Sequence, residues 1–242
     1  MKELEDREMT LIEHLTELRA RLIRAFLAIG IGFIITYSFS LKIFEILKKP
    51  VGELVFLSPT EAFFTRLKVS LFAGFLLALP YILWEVWGFI AIALRRHERK
   101  YTVIFIISAL AFFILGGSFG FFIILPLGLK FLLGYGLPGV NPMISVGKYV
   151  SFVIGVILVF GTVFEMPLFF LFLAKLGVVT PKFMSKNRPY IVLIIFILAA
   201  LLTPPDVVTQ VLLALPMLLL YEISLVLVKI VVRKKEKDKE DQ

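Results

Sequence analysis

Long apolar stretches separated by short polar segments dominate the chain from residue 22 onward. Because a helix rises about 1.5 Å per residue, about 20 apolar residues cross the ~30 Å hydrocarbon core of a bilayer. The pattern predicts an all-α polytopic membrane protein with one membrane domain, an amphipathic segment at 1–21 and a charged tail at 229–242. Its six predicted transmembrane helices lie at 22–41, 69–94, 101–129, 149–174, 190–202 and 207–228.

Proline and glycine positions refine this pattern. Pro80, Pro126 and Pro167 fall inside predicted helices, where a missing N–H predicts a kink. Three glycines in 116–120 predict close approach of a neighbouring helix. The window at 190–202 is too short to cross the core alone, so we expect local bilayer thinning or shielding by neighbours.

Polar residues before the first span form a recognisable helix start. Thr10 and Glu13 fit a capping box, and the leucines of 11–22 share one face. This pattern predicts an amphipathic helix on the membrane surface that bends into the first span. Glu17 and Arg21 are four residues apart and are predicted to pair. A surface anchor with solvated charges is the alternative to a binding role.

Charge distribution predicts the orientation. The chain is 60% hydrophobic, which exceeds the roughly 45–50% of soluble domains, and carries 26 Lys and Arg. Nineteen of these lie on the side of the N-terminus and seven on the other side, so both termini are predicted to be cytoplasmic. The net charge of +8 is thereby explained by topology, and no nucleic-acid partner is expected. The absence of cysteine excludes disulfides and thiolate metal sites.

Acidic residues within or beside the spans are the candidates for function. Glu165 lies near the middle of 149–174, where a charge costs on the order of 3 kcal/mol. It is predicted to face a polar cavity, a partner or a ligand, with hydrogen bonding between helices as the structural alternative. Glu85 and Glu222 lie nearer the cytoplasmic interface. Glu98 lies in the basic loop 94–100, and the loop by itself is interpreted as a determinant of membrane topology in which Glu98 has no role of its own.

The segment 42–68 is long for a simple connection between two spans. It contains Pro50 and the sequence SPTE at 58–61. A connection of this length predicts a cap or short helices on the outer face.

Four motifs in order resemble the TatC family, the multispanning subunits of the twin-arginine protein translocase. They are HLTELR at 14–19, HER at 97–99, FEMP at 164–167 and LTPPD at 202–206. The resemblance covers essentially the whole chain. It implies a concave, glove-like arrangement of six helices in the inner cell membrane, with no cofactor and no enzymatic activity.

The same resemblance implies a function and a set of site residues. It implies a receptor for twin-arginine signal peptides that works with the single-span subunits TatA and TatB, in an oligomeric complex surrounded by lipid. Folded proteins are exported at the expense of the protonmotive force. The signal-peptide site falls on Glu17, Arg19, Arg21, Leu94 and Glu98, the buried polar or proton-coupled positions on Glu85, Glu165 and Gln210, and the outer-loop structural positions on Pro50 and Asp206.

Other functions were weighed against this one. A proton-coupled secondary transporter of a small solute would use Glu165 and Glu85, but the sequence shows no internal repeat. An intramembrane enzyme is disfavoured because the spans contain no Ser-His, paired-Asp or zinc-binding pattern. A scaffold that only organises single-span partners overlaps the translocase interpretation.

Overall fold

The computed structural model describes residues 11–92, 102–134, 142–202 and 206–240, all of them in helices or short connections. Within these residues, five helical segments are long and apolar enough to cross a membrane, or six when the bent pair α1 and α2 counts as one. The predicted all-α class is confirmed. The elements are α1 Leu11–Tyr37, α2 Ser40–Lys48, α3 Pro59–Ile92, α4 Thr102–Phe119, a π-helical turn Gly120–Ile124, α5 Leu125–Gly134, α6 Val146–Phe164, α7 Met166–Lys175, α8 Pro181–Leu202 and α9 Val207–Glu240.

The first helix begins before the predicted first span, which starts at residue 22. Helix α1 is continuous from Leu11 to Tyr37, and the sharp bend of 84° comes after it, where α2 begins. The reason is local: residues 11–22 contain neither proline nor glycine, and the pair of Glu17 with Arg21 supports the helix at this point. The amphipathic segment and the first span therefore form one helix.

The other helices extend beyond the apolar windows because polar residues also continue a helix. Helix α3 begins at Pro59 rather than 69, and α9 continues through the predicted tail to Glu240. Helix α8 begins at Pro181, before the predicted start of the fifth span at 190, and has 22 residues. Its start is stabilised by Thr180, whose Oγ1 accepts the backbone N–H of Phe183 at 3.2 Å.

Helix interruptions lie beside two of the three prolines at which a kink is predicted, Pro126 and Pro167. The π-helical turn Gly120–Ile124 lies just before Pro126. Helix α6 ends at Phe164, just before Pro167. Helix α3 continues through Pro80. Because proline cannot donate to the carbonyl four residues earlier, the break at 165 leaves Glu165 between two helices, where its backbone N–H bonds Thr162 O at 3.1 Å.

The chain divides into two compact units, of which the first comprises residues 1–43 and 66–110. In it, α1 and α3 approach closely at two glycines: a Cβ on Gly32 would lie 2.5 Å from the carbonyl oxygen of Gly74. Beside this contact, the hydroxyl of Thr36 donates to the carbonyl of Ser70 at 2.7 Å. Small residues thus let α1 and α3 approach closely enough for this hydrogen bond between the hydroxyl of Thr36 and the backbone of α3.

The second unit comprises residues 44–65 and 111–242. The glycines of 116–120 pack directly on α6, as predicted: a Cβ on Gly116 would lie 2.3 Å from the carbonyl oxygen of Phe160. A separate buried cluster joins α7, α8 and α9, where the Tyr221 hydroxyl donates to the carbonyl of Met184 at 2.8 Å. Glu165 therefore lies between the contact of α4 with α6 and the buried cluster of α7, α8 and α9.

The predicted short helices in 42–68 are present as α2 and the first turn of α3, and this segment is fastened to the start of α6. The carboxylate of Glu61 accepts the backbone N–H of Gly147 and of Leu57, each at 2.7 Å, and the hydroxyl of Ser145. The Tyr149 hydroxyl donates to the carbonyl of Leu47 at 2.7 Å. Glu61 and Tyr149 therefore fasten this segment to the start of α6.

Candidate functional site

The N-terminal half of α1 presents a stripe of ionisable residues to α3. Positions 14, 17, 21 and 24 are spaced by three, four and three residues, which places them on one face of a helix. His14 stacks on the ring of Phe89 with 4.3 Å between centroids. Arg21 pairs with Glu17 through Nη2 and Oε1 at 2.8 Å, as the sequence predicted.

Glu85 of α3 is the centre of this cluster. Its side chain is only 8% exposed. Arg24 binds it with two parallel hydrogen bonds, Nε to Oε1 at 2.8 Å and Nη2 to Oε2 at 3.0 Å. Arg21 Nη1 lies 3.2 Å from Oε2 and 3.1 Å from the Glu85 carbonyl oxygen. A buried carboxylate is tolerated because two guanidiniums satisfy it.

A glycine makes room for this arrangement. A Cβ on Gly88, one turn after Glu85, would lie 2.1 Å from Arg21 Nη1. Any side chain at this position displaces the guanidinium from the carboxylate. The sequence WEVWG at 84–88 therefore supplies both the acid and the space that its partner needs.

Arg21 connects two carboxylates of different accessibility. Glu85 is buried, whereas the side chain of Glu17 is 31% exposed. Arg21 Nε is buried and has no hydrogen-bond partner among the described residues. The cluster thus holds Glu17 in one position while part of its side chain stays exposed. Carboxylates in such a position bind guanidinium groups bidentately.

The sequence predicted only part of this cluster. Arg19 is exposed and lies about 200° around α1 from Arg21, so it does not share the stripe. Leu94 and Glu98 lie outside the described residues. Arg24 and Gly88 were missed, although the signal was present: a glutamate in an apolar helix requires a partner, and Arg24 shares the face of Arg21.

Glu165 is the second candidate position. It caps the junction of α6 and α7, and its Oε1 is buried without a hydrogen-bond partner among the residues that the structure describes. Leaving such an atom unsatisfied costs about 1–3 kcal/mol. Within the part of the chain that the structure describes, an oxygen without a hydrogen-bond partner therefore lies at this helix break.

Two other polar residues have structural partners in the helical hairpin α8–α9. The side chain of Gln210 donates to the backbone carbonyl of Phe196 at 3.0 Å. Glu222 pairs with Arg188 at 2.7 Å. Both contacts tie α9 to α8.

The two outer-loop positions have local roles in the backbone. Pro50 lies in the turn after α2, where the N–H groups of Val51 and Gly52 bond the carbonyl of Lys48. Asp206 caps α9: Oδ1 accepts the backbone N–H of Thr209 at 2.7 Å, and Oδ2 accepts its hydroxyl. The hydroxyl and the N–H of Thr209 hold the pKa of Asp206 below its ordinary value.

Removal of this cap should destabilise the protein. We expect Asp206→Ala to lower the free energy of unfolding by about 1 kcal/mol near neutral pH, whereas Asp206→Asn, which keeps the acceptor, should cost less. Because the pKa is lower in the folded state, the contribution is present above the unfolded pKa of about 4 and is lost as the pH falls through the folded value. Thermal unfolding in detergent at pH 7 and at pH 3 measures both effects. An equal penalty for Ala and Asn would contradict the assignment.

The helices and the buried ion cluster define the class: an all-α integral membrane protein with an ionised site between two of its helices. The sequence model of the Sec-independent protein translocase protein (TatC) matches residues 13–216. The chain therefore belongs to the TatC family.

Individual relatives agree with this assignment over nearly the full length. The chain is 43% identical to the Sec-independent protein translocase protein TatC of Desulforapulum autotrophicum, over 98% of this chain and 90% of the relative. It is 45% identical to that of Aquifex aeolicus, over 94% and 98%. A crystal structure described as the twin arginine translocase receptor TatC superposes with a TM-score of 0.84 at 45% identity, covering 90% of this chain and 99% of that one.

Proposed function

We propose that this translocase subunit is the receptor for twin-arginine signal peptides of folded precursor proteins. The carboxylates of Glu17 and Glu98 bind the two guanidinium groups, and Arg19, Arg21 and Leu94 complete the binding surface. The observation that supports the proposal is the geometry of Glu17, which Arg21 holds at 2.8 Å while 31% of its side chain stays exposed. A fixed, accessible carboxylate is what a guanidinium ligand requires.

Long-range charge favours selectivity in this proposal. The positive-inside rule places the basic segments and both termini on the cytoplasmic side of the inner membrane. That face repels a cationic ligand except where carboxylates are exposed. A local negative site within a repulsive field rejects cations that lack the correct geometry, which favours specificity over affinity.

The single-span subunits TatA and TatB associate with this chain in an oligomer within the lipid bilayer, and export uses the protonmotive force. Glu165 and Gln210 serve as polar positions for a partner helix or for proton coupling. The Oε1 atom of Glu165, which is buried without a hydrogen-bond partner in the described part of the chain, supports this part of the proposal.

Peptide binding tests the receptor proposal. We expect a fluorescent twin-arginine signal peptide to bind the purified protein in lipid nanodiscs at least about tenfold more tightly than a twin-lysine peptide, because lysine cannot form the bidentate pair. Fluorescence anisotropy measures both affinities. Equal affinities would refute selective recognition by this chain, and solute uptake by vesicles containing it would then favour the transporter alternative.

Glu165→Gln tests proton coupling separately from peptide binding. Glutamine keeps the shape of the side chain but cannot release a proton or accept a charge-assisted hydrogen bond. We expect export of a folded reporter into inverted vesicles to slow about tenfold or more, with peptide binding unchanged. Export at the native rate would exclude an obligatory protonation cycle at this residue.

A further inference from the structure

Glu85 has no contact with a ligand in the proposed function, yet it is the most buried member of the ion cluster. Its carboxylate is 8% exposed, compared with 31% for Glu17 and 43% for Arg24. The hydroxyl of Tyr81 lies beside the same carboxylate. Burying a charge in this way is costly, so its retention points to a role beyond joining α1 to α3.

We propose that Glu85 is a positioning residue: it holds Arg21 and Arg24 as their counterion and so leaves the charge of Glu17 available to an incoming guanidinium. This inference rests on the proposed function, since it assigns a role in peptide recognition. In this proposal Arg24 shares Glu85 as its counterion, and Gly88 leaves the space that the guanidinium of Arg21 needs.

The distances support this division of charge. Arg24 gives both of its parallel hydrogen bonds to Glu85, at 2.8 and 3.0 Å. Arg21 gives one nitrogen to Glu17 and the other to Glu85. With two acids and two guanidiniums, the cluster of Glu17, Arg21, Arg24 and Glu85 is neutral, and its more exposed carboxylate is Glu17.

Loss of the buried charge should change the ligand site at a distance. Without the negative charge of Glu85, both guanidiniums are attracted to Glu17, the remaining acid of the cluster. Glu17 is then neutralised internally, and the cluster carries one excess positive charge that repels the ligand. Loss of the Arg24 charge has the opposite effect, because Glu85 then neutralises Arg21 more completely and the cluster becomes negative.

The experiment compares Glu85→Gln, Arg24→Gln and the double variant. We expect Glu85→Gln to weaken binding of the twin-arginine peptide in nanodiscs about three- to tenfold at low salt, the size expected for one uncompensated charge within about 10 Å. Arg24→Gln should strengthen binding, and the double variant, which is neutral again, should bind like the native protein. Both single effects should shrink as the Debye length falls from about 30 Å at 0.01 M to about 3 Å at 1 M ionic strength.

Matched controls come from the second unit. Glu222 and Arg188 form an ion pair at 2.7 Å whose side chains are about half exposed, so Glu222→Gln and Arg188→Gln remove the same charges elsewhere. They should leave binding unchanged. Thermal unfolding confirms that each variant is folded.

The opposite signs separate the proposal from a structural role. If the cluster only holds α1 against α3, Glu85→Gln and Arg24→Gln both weaken binding, and this result overturns the inference while leaving the receptor proposal intact. Unchanged binding in Glu85→Gln overturns it equally. If the native protein does not prefer the twin-arginine peptide, the receptor proposal fails and the inference fails with it.

Discussion

Replacing both Glu17 and Glu98 with alanine should reduce binding of a twin-arginine peptide about 100-fold and remove its advantage over a twin-lysine peptide. Each carboxylate is expected to contribute a charge-assisted hydrogen-bonded pair of about 1.5–3 kcal/mol, partly offset by the freed Arg21. Titration of the fluorescent peptide into nanodiscs measures the loss. The ion pair between Arg21 Nη2 and Glu17 Oε1, at 2.8 Å, holds the carboxylate of Glu17 in position for the peptide.

The matched control removes two acids that also form ion pairs. Glu45 pairs with Lys48 at 2.8 Å and Glu222 with Arg188 at 2.7 Å. A double alanine variant at these positions changes the net charge by the same amount and should bind normally. Native binding by the Glu17→Ala, Glu98→Ala variant would remove the carboxylate site from the proposal.

Gly116→Ala should be the most destabilising of the single-methyl additions to the second unit. The new Cβ would lie 2.3 Å from the carbonyl oxygen of Phe160 and 2.7 Å from Cβ of Phe164, so α4 and α6 must separate. Overpacking of this kind costs about 1–3 kcal/mol. Thermal unfolding in detergent should therefore show a lower midpoint, by several degrees.

Gly128→Ala is the matched control within the same unit. Nothing lies within 4 Å of a Cβ at this position of α5, so the change should be neutral or stabilise the helix by up to about 1 kcal/mol. If Gly116→Ala and Gly128→Ala unfold at the same temperature, the close approach of α4 and α6 does not contribute to stability.

The local interruptions of the helices could be predicted because their cause is local. Pro126 and Pro167 lack a backbone donor wherever they occur, and the structure shows a π-helical turn and a helix break beside them. The pair of Glu17 with Arg21 follows from four-residue spacing on one helix. The helix ends were harder to predict from the sequence, because polar residues at 11–21 and 181–189 continue a helix although they lower the hydropathy.

The partners of buried charges required the tertiary structure. Glu85 and Glu165 both look like isolated acids in apolar sequence, yet Glu85 is bound by two arginines that lie 61 and 64 residues earlier. One oxygen of Glu165, by contrast, has no hydrogen-bond partner among the described residues. Sequence spacing cannot distinguish these two cases, because the packing of α1 on α3 decides which arginines lie within hydrogen-bonding distance of Glu85.

By itself, the sequence determined the helical class, the helix interruptions beside Pro126 and Pro167 and the family, because hydropathy, backbone donors and ordered motifs are properties of the chain along its length. Only the tertiary structure decided which charges meet, that Gly88 makes room for Arg21, and that Asp206 and Gln210 serve the backbone of α9 and α8. The physical reason is that an ion pair or a close helix contact depends on distances of a few ångströms between segments far apart in the sequence, and helix packing alone sets those distances.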